Sequence, residues 1–174
     1  MNVDEPGGEV SERGPTPLEA FPEDHDVLLG PLVRDMQRAL RSEFGALSFY
    51  SLLPRVTASG ELRKLLIELR DDERGVVQEV RSLIEELGGK PRTRRWTRSL
   101  AAWGLTFVAP VLGSRFTTRL CYDAEAAVSR WYAQYAGLLA RLGDLDRAER
   151  CRDLSLKKHI HATRLATFVH NLPS

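Results

Sequence analysis

Glu43, Glu73, Glu125, Lys158 and His161 are ionisable residues that fall on otherwise apolar helical faces. Steps of three and four lead from Leu40 through Glu43 to Leu47 and from Leu69 through Glu73 to Val76. The same steps lead from Cys121 through Glu125 to Val128 and from Leu154 through Lys158 to His161. Side chains at this spacing share one side of a helix, so each of four helices aims one or two polar groups inward. A buried carboxylate without a partner costs several kcal/mol or takes up a proton. Three of them on three helices need a common counter-charge, and a metal ion is the usual one. In carboxylate-bridged di-metal bundles, two helices give one Glu each and the other two give Glu-x-x-His. Here Glu43 and Glu125 are the single glutamates, while Glu73-x-x-Val76 and Lys158-x-x-His161 stand where the two motifs belong. Val76 replaces a histidine and Lys158 replaces a glutamate. Glu43 precedes Tyr50 by seven residues and Glu125 precedes Tyr132 by seven, an echo that suits two helical hairpins related by a pseudo-twofold axis. A single inward Glu is a weak signal, because a salt bridge or a misjudged face also produces one; agreement of four helices at matching depth is a much stronger one.

The elements that position these residues follow from the same periodicity. Val33, Met36, Leu40, Leu47 and Tyr50 mark a first helix expected over 31–54, opened by Pro31 and closed by Pro54. Leu62 to Leu87 mark a second over 60–88, stopped by Gly88-Gly89 and Pro91. A third, over 115–142, carries Cys121, Val128, Tyr132, Tyr135 and Leu138; a fourth, over 145–170, carries Cys151, Leu154, His161, Leu165 and Phe168. No segment alternates with period two. The fold class is all-α: an antiparallel four-helix bundle with a hydrophobic crossover.

The chain has 174 residues, of which 43% are hydrophobic, enough for a core. Its net charge of +1 is unevenly spread. Residues 1–29 hold eight acids and one base, a net of −7, in a Gly- and Pro-containing stretch that reads as a disordered tail. Residues 30–174 hold 24 bases and 16 acids, a net of +8, and form the expected domain. Two cysteines, Cys121 and Cys151, exclude a disulfide scaffold or a Cys-rich zinc ribbon; both read as small buried hydrophobes. No apolar run reaches the length of a spanning helix, and the acidic start is no signal peptide. A cytoplasmic location, peripheral on the inner face of the membrane, is the expectation.

Residues 99–114, SLAAWGLTFVAPVLGS, carry no charge and are flanked by Lys90, Arg92, Arg94, Arg95 and Arg98 before and Arg115 and Arg119 after. Gly104, Pro110 and Gly113 argue against one straight helix. The segment reads as a long crossover packed on the bundle, as an interfacial segment whose arginines hold anionic lipid, or as both. Arg94, Arg95, Arg98, Trp103 and Phe107 are the candidate membrane contacts, and Trp96 is a candidate interfacial anchor. The arginine cluster lacks any accompanying nucleic-acid motif, so membrane is the expected partner and nucleic acid is not. No phosphate loop and no Ser or Cys nucleophile motif is present.

On these residues the chain resembles the demethoxyubiquinone hydroxylases, ferritin-like di-iron monooxygenases of ubiquinone biosynthesis. The segment EFGALSFY at 43–50 is similar to that family's first ligand motif. The spacings Glu43–Glu73–Glu125, the apolar run, and HATRLA from His161 are similar to its later features; the likeness covers roughly residues 33–170. It implies Glu43, Glu73, Glu125 and His161 as metal ligands, with Val76 and Lys158 as altered ligand positions and Tyr50 and Tyr132 beside the site. It implies iron: two ions by the family pattern. Here a formal count of three glutamates and one lysine balances one divalent ion, held by Glu125, His161 and a shared Glu73. A metal-free alternative pairs Lys158 with one carboxylate and protonates at least one glutamate. His159 is the inward group instead if the fourth helix is one residue out of register. The implied partners are membrane lipid and an isoprenoid quinone, with a biosynthetic complex partner or a second copy. The function is then either quinone-ring monooxygenation or quinone and lipid binding without chemistry. A third reading is a structural bundle whose ionic cluster only fixes packing.

Overall fold

The computed structural model describes residues 22–92 and 96–171, with side chains over 28–92 and 113–171. Four helices follow in order: α1 (Pro22–Val56), α2 (Gly60–Glu86), α3 (Trp96–Arg141) and α4 (Leu145–His170). No strand occurs among the described residues. α3 packs against α4 and α1, and α1 packs against α2; α2 and α4 meet more lightly.

Side-chain pairs fix the directions. Tyr132 meets Glu43 and Tyr50 meets Glu125, so α1 and α3 are antiparallel. Glu79 pairs with Arg150 and Glu86 with Arg147, so α2 and α4 are antiparallel as well. The short turn at 57–59 makes α1 and α2 a hairpin, and the turn at 142–144 does the same for α3 and α4. Hence α2 and the part of α3 after Gly113 run parallel, and the chain between them must travel the length of the bundle. A four-helix bundle with one long crossover is the result.

Two expected boundaries are corrected. α1 begins at Pro22, not Pro31, and both Pro31 and Pro54 lie inside it. An internal proline forfeits one backbone hydrogen bond and crowds the preceding turn. Leu29 and Leu32 pack on the core on either side of Pro31, and that burial holds the extra turns. Beyond Pro54 the helix lasts only to Val56. Arg63 then donates to the carbonyls of Pro54 and Thr57, and the Ser59 hydroxyl caps α2 by accepting from the Leu62 amide at 3.2 Å.

The crossover is helical too. The third helix begins at Trp96 instead of 115 and is broken only at Gly113, where φ is 81° and ψ is 159°. Only glycine adopts that conformation without strain. Gly104 and Pro110 do not stop the helix; an uncharged segment has strong reason to satisfy its own backbone, and a helix does so internally. Its opposite end is pinned to α1 by Gln37, whose Nε2 donates to the Lys90 carbonyl at 2.7 Å and whose Oε1 accepts from the Arg92 amide at 3.0 Å. Arg94 and Arg95 lie outside the described residues, as do the side chains of Trp96, Arg98, Trp103 and Phe107. No described helix is long and apolar enough to cross a membrane.

The core has two parts. One gathers Met36, Leu40, Val76, Val80, Val128, Tyr132 and Leu139. The other gathers Phe49, Tyr50, Leu66, Leu69, Cys121 and Leu165. The polar residues of the candidate site lie between these two apolar masses.

Candidate carboxylate–lysine site

Glu43, Glu73, Glu125, Lys158 and His161 are all buried and meet in mid-bundle, one helix contributing each glutamate and α4 contributing both remaining groups. Each stands on the inward stripe of its helix, one turn from a large apolar neighbour, so the packing that folds the helix also drives the polar group inside. The fourth-helix register is the one with Lys158 and His161 inside; His159 is exposed.

Lys158 is the centre. Its Nζ lies 2.7 Å from Glu43 Oε2 and 2.9 Å from Glu125 Oε2, and it donates a hydrogen bond to Glu73 Oε1. An ammonium has three donors, and three carboxylates surround it. The Glu–Tyr echo is realised reciprocally. The Tyr50 hydroxyl donates to Glu125 Oε1 at 2.7 Å and the Tyr132 hydroxyl donates to Glu43 Oε1 at 2.7 Å. Each tyrosine thus holds the glutamate of the opposite hairpin, with its remaining oxygen turned to Lys158. Burial first, and the facing carboxylate second, raise both phenols well above their ordinary range, so they stay protonated and donate to the glutamates.

His161 flanks the cluster. Its Nδ1 is 3.4 Å from Glu73 Oε1 and 3.5 Å from Glu125 Oε2, while Nε2 faces Asp72 Oδ2 at 3.4 Å. None of these is a well-formed hydrogen bond; both ring nitrogens and Glu73 Oε2 are buried without a hydrogen-bond partner. Val76, the counterpart of His161, is fully buried in the apolar cluster with Met36, Leu40 and Tyr132.

The charges are strongly interdependent. Burial pushes Lys158 toward the neutral amine, but the three carboxylates outweigh it and hold the ammonium above the ordinary lysine range. Burial lifts Glu43, Lys158 pulls it back, and Glu73 and Glu125 push it up again, leaving it at about 8. Glu125 resists its own burial because Lys158, His161 and Tyr50 favour its anion, which lowers it to about 2. Burial disfavours the imidazolium of His161, but Glu125 and Glu73 raise it to about 9. Counted formally, three carboxylates facing one ammonium and one imidazolium leave a single negative charge. A proton kept on Glu43 brings the cluster to neutrality.

Donor atoms of Glu73, Glu125 and His161 lie within 4.8 Å of one another, a spread that one ion spans. However, Glu73 Oε1 and Glu125 Oε2, the oxygens nearest His161, are those already bound to Lys158 Nζ. An ion there would share its ligands with a fixed positive charge. Glu43 lies on the far side of that ammonium, and Val76 offers no donor. As it stands, the cluster holds an ammonium, and an ion among Glu73, Glu125 and His161 would compete with it for two of their oxygens.

Asp72, Gln37 and the Ser129–Ser155 pair escape sequence reasoning. Asp72 is half exposed and lies off the apolar face of α2, and Gln37 binds backbone, which no side-chain pattern reports. Ser129 Oγ donates to the Ser155 carbonyl and Ser155 Oγ to the Ser129 carbonyl, each at 2.9 Å, tying α3 to α4. No family model matches the chain, and no curated protein matches it.

Proposed function

We propose that this chain is a metal-free, ferritin-like relative of the demethoxyubiquinone hydroxylases that binds isoprenoid quinone and lipid at a membrane surface without oxygenating them. The observation that carries this reading is the Lys158 ammonium held by three carboxylates at the place of the ligand set. Ring hydroxylation by that family's chemistry needs two irons sharing bridging carboxylates, and here the carboxylates are committed to a lysine.

Membrane attachment has separate support. Val56 lines a cavity of about 130 Å³ together with Leu53, Leu62, Gly113, Ser114 and Thr117, where the crossover re-enters the bundle. Val56, Phe116 and Leu120 are exposed along the two helices that border this end. Phe116 and Leu120 follow the uncharged run of 99–114, and Arg55, Arg115 and Arg119 stand beside these apolar residues in sequence. Apolar surface next to cations is the pattern of an interfacial segment on anionic lipid.

The test is flotation with vesicles of zwitterionic and anionic lipid carrying an isoprenoid quinone. Binding should require anionic lipid and weaken with salt. Replacing Arg94, Arg95 and Arg98 together by Ser should weaken it about a hundredfold, at about 1 kcal/mol per cation. Trp103→Ser should weaken it too, and quinone should co-migrate with the parent chain. Binding indifferent to salt and to both sets of changes, without quinone, would reduce the run to ordinary core.

A further inference from the structure

We propose that the acidic N-terminal segment, residues 1–21, folds back within the same chain onto a cationic strip along the outer side of α1 and the stretch that follows α2, and so keeps other anionic partners off it. The proposal depends neither on the buried ionic cluster nor on what the bundle binds elsewhere.

The strip is made of two pieces. Arg34, Arg38 and Arg41 recur at steps of four and three, so they share the side of α1 turned away from Glu43. Arg34 and Arg38 are exposed and Arg41 is half-buried. Gln37 lies three residues after Arg34 and four before Arg41, and it holds the Lys90 carbonyl and the Arg92 amide. Lys90 and Arg92, both exposed, are thereby brought beside the arginines of α1. Asp35 is the only acid of α1 between Asp26 and Glu43, and it pairs with Arg38. Among the described residues no carboxylate forms an ion pair with Arg34, Arg41, Lys90 or Arg92, whereas Arg70, Arg150 and Arg164 on α2 and α4 each have one. Cations gathered without counter-charges repel one another and favour an anionic cover.

The N-terminal segment supplies that cover. Residues 1–21 hold Asp4, Glu5, Glu9, Glu12 and Glu19 against Arg13. Glu23, Asp24 and Asp26 are explained by α1 itself, because a helix N-terminus favours acids; the five acids before them have no such role. The attachment point also fits. Pro22 opens α1, and Gln37 follows fifteen residues later, about 22 Å along a helix. A coil of twenty-one residues has a root-mean-square span of about 25 Å, so the tether returns its acids to the strip at high local concentration. Arg34 leans toward the tether: its Nη1 would lie 3.6 Å from a Cβ at Gly30, one turn nearer the root.

The experiment cross-links an equal mixture of unlabelled and isotope-labelled full-length chains with a water-soluble carbodiimide, which joins an amine to a carboxylate in direct contact. Mass spectrometry then maps the joined peptides. At low salt, Lys90 should be linked to acids of residues 1–21 within one isotopic chain, well above links from the exposed Lys64 and Lys157. Replacing Arg34, Arg41 and Arg92 together by Gln keeps the reporting amine and should lower its yield about tenfold, as should high salt. Acetylation supplies an independent readout. With Asp4→Asn, Glu5→Gln, Glu9→Gln, Glu12→Gln and Glu19→Gln combined, Lys90 should be acetylated several-fold faster, relative to Lys64, than in the parent. Links that mix the two isotopes would seat the segment on a second copy and overturn the proposal. A Lys90 yield and acetylation rate indifferent to salt and to both sets of changes would overturn it as well.

Discussion

Replacing Lys158 by Met in metal-free buffer is expected to cost about 3–5 kcal/mol, the scale for removing one member of a buried ion cluster. In a domain of this size that lowers the melting temperature by roughly 6–20 °C. The cost does not arise from lost packing, because Met is also long, unbranched and apolar. It arises because Glu43, Glu73 and Glu125 lose the ammonium they share. Their escape is to take up protons, so the variant should regain stability on acidification. Replacing all three glutamates by Gln together with Lys158→Met removes the charge problem at its source and should recover most of the loss. Circular-dichroism melts in EDTA check both statements. A Lys158→Met cost below about 1 kcal/mol, the scale of an exposed pair, would mean that the lysine does not balance these carboxylates.

Stability of the parent should fall as pH rises from neutral to mildly alkaline, by a few kcal/mol. His161 is raised from 6.5 to about 9, so the folded state binds the proton more tightly; its contribution is complete below 6.5 and lost by about 9. Glu43, raised from 4.5 to about 8, acts in the same direction between those values because it keeps a proton that the unfolded chain has released. Glu125, lowered from 4.5 to about 2, acts oppositely: its contribution is present above 4.5 and lost as pH falls to about 2. Lys158 is raised as well, so its contribution is lost only above the ordinary lysine range. The maximum therefore lies on the acid side of neutrality. Urea unfolding across this range is the measurement. Glu43→Gln, which mimics the protonated carboxyl, should flatten the limb between 4.5 and 8. A parent whose stability holds level or rises from 6.5 to 9 would contradict the charge assignment for His161.

Much of the site was legible because burial and periodicity act together. A polar residue at the three-and-four spacing of an apolar stripe has nowhere to go but inward, and Glu43, Glu73, Glu125, Lys158 and His161 all obeyed that rule. The seven-residue Glu–Tyr echo also had physical content, since it became two reciprocal hydrogen bonds between α1 and α3. The helix starts were less legible. Pro31 and the 99–114 glycines and proline argue locally for breaks, and tertiary packing and backbone self-satisfaction override them, leaving only Gly113 as a break in α3. Periodicity placed Lys158 inside but left open how many carboxylates it would meet. The metal-free alternative gave it one partner; three are found, because the ammonium sits where all three glutamates converge. Asp72 beside His161 was hidden, since contact across helices between an exposed side chain and a buried one leaves no periodic trace.

The most direct test is a crystal structure of the parent protein, loaded anaerobically with Fe(II) and measured with anomalous scattering at the iron edge. The account predicts Lys158 Nζ within hydrogen-bonding distance of Glu43, Glu73 and Glu125, with no anomalous peak among these residues. An iron peak between Glu73, Glu125 and His161, with the lysine displaced, would contradict it and restore the chain to metal chemistry.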